Sequence, residues 1–256
     1  MTTSSHPGRA LVTGAGKRMG RAIALRLADA GWDVAVHHHR SGDEARSVAE
    51  EIEARGRDAV VIGGDLSDPS IAASFIAQAG EGLGPVGLLV NSASLYGEDR
   101  LLTLTPERWR QLVDVNLTGQ VFLMQAFARQ PRVPVGASIV NLLDQQMSAA
   151  PPDYFSYFVA KFGLHGATRL AAFELAPAIR VNAIAPGLTL PSGSQTEDEF
   201  RTRQTIMPLG AGLGANDVAE AVLYLANASH VTGEVIHVDS GQRLMGLGNS
   251  KLVPPG

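Results

Sequence analysis

Short apolar runs alternate with amphipathic helical stretches along almost the whole chain, and this alternation restricts the fold more than any other feature. Ala10–Thr13, Asp33–His39, Ala59–Gly63, Val86–Asn91, Ser138–Leu143, Arg180–Ile184 and Glu234–Val238 read as strands. Continuous apolar runs of this kind mark strands covered on both faces. Between them, Met19–Ala30, Glu44–Arg55, a stretch near Ser70–Ala79, a long helix within Pro106–Arg129, about Phe155–Leu175 and Asn216–Ala226 carry helical periodicity. Strand–helix–strand repetition predicts an α/β fold: a doubly wound, mostly parallel sheet with helices on both faces. No linker or shift in composition divides residues 1–256, so one domain is expected. Residues 1–8 are polar and expected to be disordered. The only long irregular stretch expected is Pro186 to about Ala215, and a substrate lid over 188–214 is the natural reading of it.

Composition excludes several classes. The net charge of -4 comes from 21 Lys and Arg scattered among 25 Asp and Glu, so neither nucleic acid nor an anionic membrane is an expected partner. The chain has no cysteine, which removes disulfides, thiolate nucleophiles and sulfur-rich metal sites, and fits a reducing compartment. No apolar run approaches the roughly 20 residues of a membrane span, and Met1–Gly8 has no secretory core. A cytoplasmic protein acting on a small molecule is expected.

The first strand-to-helix turn reads Thr13-Gly14-Ala15-Gly16-Lys17-Arg18-Met19-Gly20. Glycines allow a tight turn and let backbone N–H groups approach a pyrophosphate at a helix N-terminus. The end of the second strand selects the dinucleotide. An acid there would bond the ribose hydroxyls of NAD. This chain instead has His37-His38-His39-Arg40-Ser41, and the Arg40 fork with the Ser41 hydroxyl suits a 2′-phosphate, which predicts NADPH/NADP as cofactor. Consecutive strand residues point to opposite faces, so the three histidines cannot converge on one metal ion, and no metal is expected. Asp65-Leu66 after the third strand and Asn91-Ser92-Ala93-Ser94 after the fourth end on the edge where such sheets bind ligands.

Tyr157 and Lys161 stand at i and i+4, on one face of a helix. An adjacent ammonium favours the ionised form of a phenol, so a lowered Tyr157 pKa is expected beside Lys161. Such a pair suits delivery of a proton to a group reduced by hydride.

The Thr13-Gly14-x-x-x-x-x-Gly20 turn, Asn91-x-Ala93, Asn116, Tyr157-x-x-x-Lys161, Asn182 and Pro186-Gly187 resemble the short-chain dehydrogenase/reductase family in order and spacing. The resemblance implies a seven-stranded Rossmann sheet, a homotetramer, Tyr157 as proton donor, Lys161 as ribose ligand and Asn116 as holder of a relay water. Lys17, Arg18, Met19, Gly20, His39, Arg40, Ser41, Asp65, Leu66, Asn91, Ala93, Ser94, Tyr157, Lys161, Pro186, Gly187 and Leu188 join Gly14 as expected cofactor contacts.

Two departures sharpen this. The family's serine position, thirteen residues before the tyrosine, holds Asp144, and the middle glycine of the turn is Arg18. Together with His37-His38-His39-Arg40-Ser41 and the Gly14-Ala15-x-Lys17-Arg18-x-Gly20 turn, they resemble the pteridine reductases and related bacterial dihydromonapterin reductases. That resemblance implies substrate contacts from Arg18, Ser94, Tyr96, Asp144, Tyr157 and Leu188, with Tyr96 stacking a pterin and Asp144 assisting Tyr157. A carboxyl group also suits the N–H-rich face of a pterin, where a serine hydroxyl suits a ketone oxygen. Two other readings remain open: a carbonyl reductase of the 3-oxoacyl or small-ketone type, and a non-catalytic NADP(H)-binding sensor.

Overall fold

The strands β1 (Arg9–Val12), β2 (Asp33–His38), β3 (Ala59–Gly63), β4 (Leu88–Asn91), β5 (Ser138–Leu142), β6 (Arg180–Pro186) and β7 (Val235–Val238) form one sheet in the order β3-β2-β1-β4-β5-β6-β7. Every pairing is parallel, with Val12 opposite both Val36 and Val90. The chain therefore reverses its winding between β1 and β4, and the carboxyl ends of those strands open a crevice for a ligand. The computed structural model describes residues 8–191, 195–210 and 212–245. Residues 1–7 of the expected disordered leader lie outside the described residues, as do parts of the expected lid.

Helices α1 (Arg18–Asp29), α2 (Gly42–Glu53), α3 (Ala72–Leu83), α4 (Pro106–Val113), α5 (Gly119–Ala128), α6 (Phe155–Glu174), α7 (Glu197–Thr205) and α8 (Ala215–Asn227) connect the strands. Their apolar stripes make two cores. Ile23 and Leu27 of α1 and Val218 and Val222 of α8 pack on one face of the sheet. Phe75 of α3, Leu123 and Phe127 of α5 and Leu164 of α6 pack on the other.

Two elements differ from the sequence expectation. The long helix within Pro106–Arg129 starts where Thr105 accepts the Arg108 N–H, but a π-helical turn at Asp114–Thr118 interrupts it. Period counting cannot see a single wide turn, and such turns collect at functional positions. Within the stretch expected to be irregular, α7 forms because Thr196 and Glu199 make a reciprocal capping box. Its exposed Glu197–Arg203 run is anchored by buried Phe200 and Gln204. Among the described residues, no helix is long and apolar enough to cross a membrane.

Candidate active site

At the nucleotide end, the turn after β1 leaves the sheet through Gly14, at φ +64°. A Cβ on Gly20 would lie 2.3 Å from the Gly14 carbonyl oxygen, so the turn and the first coil of α1 meet backbone to backbone. Helix α1 begins with no side-chain cap. Its first amides have no intrahelical acceptor and face the crevice with the positive end of the helix dipole. Thr13 Oγ1 accepts the Ser92 and Ala93 N–H groups at 2.9 Å each, which locks this turn to the end of β4. These are the requirements of a pyrophosphate cradle, and the residues present fit one.

The three histidines separate as strand alternation requires. His37 is buried against Phe75, the His38 ring lies beside Gly42 and Gly63, and exposed His39 has Nε2 3.5 Å from Asp65 Oδ2. Exposed Arg40 and half-buried Ser41 follow β2, with the Asp65 carboxyl near enough to feel the Arg40 charge. Lys17 pairs with Glu44 at 2.6 Å. Arg18 adopts φ +52° and donates from Nη2 to the Pro191 carbonyl at 2.7 Å, reaching the segment after β6. Asn91 is fully buried and its amide donates to Asn141, so only its backbone is available to a ligand. Buried Leu66 turns its carbonyl onto Gly119, where a Cβ would be only 1.9 Å away. Partly buried Met19 packs against the α1 side of the core. Pro186 and Gly187 end β6 against β7, and the Leu188 carbonyl accepts from Gln204 at 2.6 Å.

At the chemical end, the Tyr157 hydroxyl donates to Asp144 Oδ2 at 3.0 Å. Asp144 Oδ1 accepts the Gln146 N–H at 2.8 Å, capping the short 3-10 helix Gln145–Ala149 and fixing the carboxyl in place. Lys161, 2% exposed, donates from Nζ to the Leu142 carbonyl at 2.8 Å and lies 5.6 Å from the Tyr157 ring centre. Burial pushes Lys161 down to about 8, against the opposing pull of Asp144. The Tyr157 phenol is held well above its ordinary range, first by burial and then by the Asp144 carboxyl. The lowered Tyr157 pKa expected from the Tyr157–Lys161 spacing is therefore corrected: desolvation outweighs an ammonium that bonds a carbonyl instead of the phenol. A neutral phenol still carries the proton that a donor needs. Desolvation also raises the Asp144 carboxyl.

Asn116 sits in the π-helical turn, fully buried. Its amide donates to the Leu95 and Leu112 carbonyls, and its oxygen accepts from the Leu95 N–H and from Ser94 Oγ at 2.8 Å. The side chain is saturated, so it positions the loop after β4, and a water could be held only by its main chain.

That loop carries Tyr96, expected from the sequence, together with Glu98 and Asp99, which sequence reasoning did not single out, and it meets Tyr154, also missed. Tyr96 is 46% exposed, stacks on Tyr154 at 4.5 Å and 23°, and meets the Tyr157 ring edge-on at 4.8 Å. The Tyr154 hydroxyl donates to Glu98 at 3.1 Å. The Asp99 side chain accepts the Ser156 N–H, and its backbone pairs with Asp153 and Phe155. The loop is thereby clipped to the first turn of the helix that carries Tyr157. The only sequence signal was proximity: Tyr154 lies three residues before Tyr157.

A doubly wound sheet with a glycine turn at its switch point, facing a buried tyrosine–lysine pair, defines the class of dinucleotide-dependent oxidoreductases. A family model described as Enoyl-(Acyl carrier protein) reductase matches residues 14–243. The 3-oxoacyl-[acyl-carrier-protein] reductase FabG of Staphylococcus aureus is 34% identical over 237 residues, 91% of this chain and 96% of that protein. The crystal structure of FolM alternative dihydrofolate reductase 1 from Brucella canis, complexed with NADP, is 37% identical with a TM-score of 0.87, over 92% of this chain and 94% of that one. A blue fluorescent protein from a metagenomic library, in complex with NADPH, is 29% identical with a TM-score of 0.84, over 93% of this chain and 99% of that one. The chain belongs to the short-chain dehydrogenase/reductase family, whose members are oxidoreductases that use a nicotinamide dinucleotide.

Proposed function

We propose that the protein is an NADPH-dependent reductase of a pterin-type substrate such as dihydromonapterin, dihydrobiopterin or dihydrofolate. One observation carries this reading: a carboxyl, Asp144, accepts from the Tyr157 hydroxyl at the position for which the family resemblance implies a serine. When bound, NADPH supplies the hydride. Arg40 and Ser41 select it by its 2′-phosphate, with His39 and Asp65 nearby, and Gly14, Lys17, Arg18, Met19 and Gly20 take the pyrophosphate. Leu66, Asn91, Ala93, Ser94, Lys161, Pro186, Gly187 and Leu188 line the rest of its course. Tyr96, braced by Tyr154, offers its open face to a flat heterocycle, and Arg18, Ser94 and Leu188 border the slot. Asp144 bonds the heterocycle's N–H groups and Tyr157 hands over its proton, with Lys161 behind it. The described residues after β6, 188–191, are held by Arg18 through Pro191 and border the substrate.

The likeness to FolM supports this substrate class, and the likeness to FabG supports a second reading, reduction of a 3-oxoacyl thioester. Asp144→Ser separates them. We expect NADPH oxidation with dihydropterins to fall about 10²-fold while small-ketone reduction rises. Loss of neither activity, or ketones outrunning pterins in the unaltered protein, would overturn the pterin reading. NADPH binding without turnover on either panel would favour a sensor.

A homotetramer is part of the proposal. Phe162, Leu170 and Phe173 on α6 and Phe122 on α5 are exposed large apolar side chains, the kind of surface that a subunit interface covers. Light scattering that gives a monomer mass would refute it.

A further inference from the structure

Two successive amides of the glycine turn end on one residue. The Gly14 N–H donates to Nδ1 of His37 at 3.3 Å, and the Ala15 N–H donates to the His37 carbonyl at 2.9 Å. The imidazole is 1% exposed and rests on the Phe75 ring of α3, with centroids 4.7 Å apart at 55°. Burial pushes its pKa down to about 4. At neutral pH the ring is therefore uncharged and keeps one nitrogen as an acceptor. The titratable groups facing it are His38 and His39 of β2 and Asp65 beyond β3. Phe75 and the turn glycines bring none.

The opposite side of the turn has no slack. A Cβ on Gly14 would stand 3.0 Å from Ala93 Cα, and Thr13 already ties the turn to the end of β4. The turn is thus wedged between β4 and β2, and on the β2 side the acceptor for Gly14 is a side chain. Arg40 follows three residues after His37, in the bend just after β2.

We infer that His37 is a positioning residue for the dinucleotide: its ring nitrogen and its carbonyl oxygen together hold the Gly14 and Ala15 amides in the attitude that receives the pyrophosphate. His37 thereby braces the pyrophosphate end of the site to the 2′-phosphate end. The inference rests on the NADPH reading proposed above. Deleting the ring acceptor strands a partly buried N–H, which is costly to leave unpaired.

Binding titrations test this without turnover. With His37→Leu, NADPH affinity should fall about tenfold. Affinity for adenosine 2′-monophosphate, which has the ribose 2′-phosphate and no 5′-phosphate, should change less than about threefold. His37→Asn, whose amide oxygen can stand near the Nδ1 position, should recover most of the NADPH affinity. Unchanged NADPH binding by His37→Leu, or equal weakening of both ligands, would overturn the inference. If the unaltered protein fails to bind NADPH, the cofactor reading itself falls. Should His37→Leu not fold, imidazole ¹⁵N shifts of the unaltered protein at pH 7 decide the matter: an unprotonated Nδ1 supports the brace, and a protonated one refutes it.

Discussion

The two ends of the crevice are built from different materials. At the nucleotide end the working groups are backbone amides around Gly14 and Gly20, with Lys17, Arg18 and Arg40 exposed around them. At the chemical end they are side chains, and Tyr157, Lys161 and Asn116 are all nearly or fully out of water. Anion binding tolerates solvent because amides and a helix dipole are fixed by the fold and need no shifted pKa. Proton delivery needs a group whose state is set by its surroundings, and desolvation supplies that setting. One end should therefore be breakable through affinity alone and the other through the chemical step alone.

The largest expected effect lies at the chemical end. Tyr157→Phe removes the proton donor and should lower kcat by about 10³-fold, with NADPH affinity kept within about threefold. Steady-state rates and a fluorescence titration on one sample measure both. Equal losses in rate and affinity would erase the distinction between the ends. The nucleotide end should answer in the opposite sense. Arg40→Ala should weaken NADPH about thirtyfold, leave NADH nearly unchanged, and leave kcat at saturating NADPH within about twofold.

A third test uses pH. Lys161 has been lowered to about 8 by burial, so its charge is present below that pH and is lost as the pH rises through it. If the ammonium is required, kcat/KM should fall about tenfold per pH unit above 8 while NADPH affinity follows a flatter course. A profile level to pH 10 would show that the charge is dispensable in the free protein.

The same division explains what the sequence discloses. The nucleotide end is local: Gly14, Gly20, His39, Arg40 and Ser41 are read from short segments whose geometry is fixed by a strand end and a helix start. All seven strands and most helices were legible for the same reason, since each is a run of one periodicity. The chemical end is assembled across distance. Asp144 meets Tyr157 from thirteen residues away, and Asp99 reaches Ser156 over 57. The i, i+4 spacing of Tyr157 and Lys161 was visible, but not that Lys161 would turn to Leu142 and that burial would hold the phenol neutral. The π-helical turn at Asn116 was hidden because one wide turn scarcely perturbs a helical pattern.

The smallest effect probes the seam between the regions. Tyr154 belongs to neither the glycine turn nor the proton pair, yet its ring backs Tyr96 and its hydroxyl holds Glu98. Tyr154→Phe keeps the ring stack and removes one hydrogen bond near the surface, so KM for the heterocycle should rise about threefold with kcat within twofold. Tyr154→Ala removes the stack as well, and an aromatic pair is worth ~0.5–1.5 kcal/mol beyond its buried area. KM should then rise about tenfold, still with little change in NADPH affinity. If both variants instead lowered kcat and left KM alone, Tyr154 would be acting on the proton donor through the first turn of α6. The loop from Ser94 to Asp99 would then belong to the chemical end, and the boundary drawn between recognition and proton transfer would have to move.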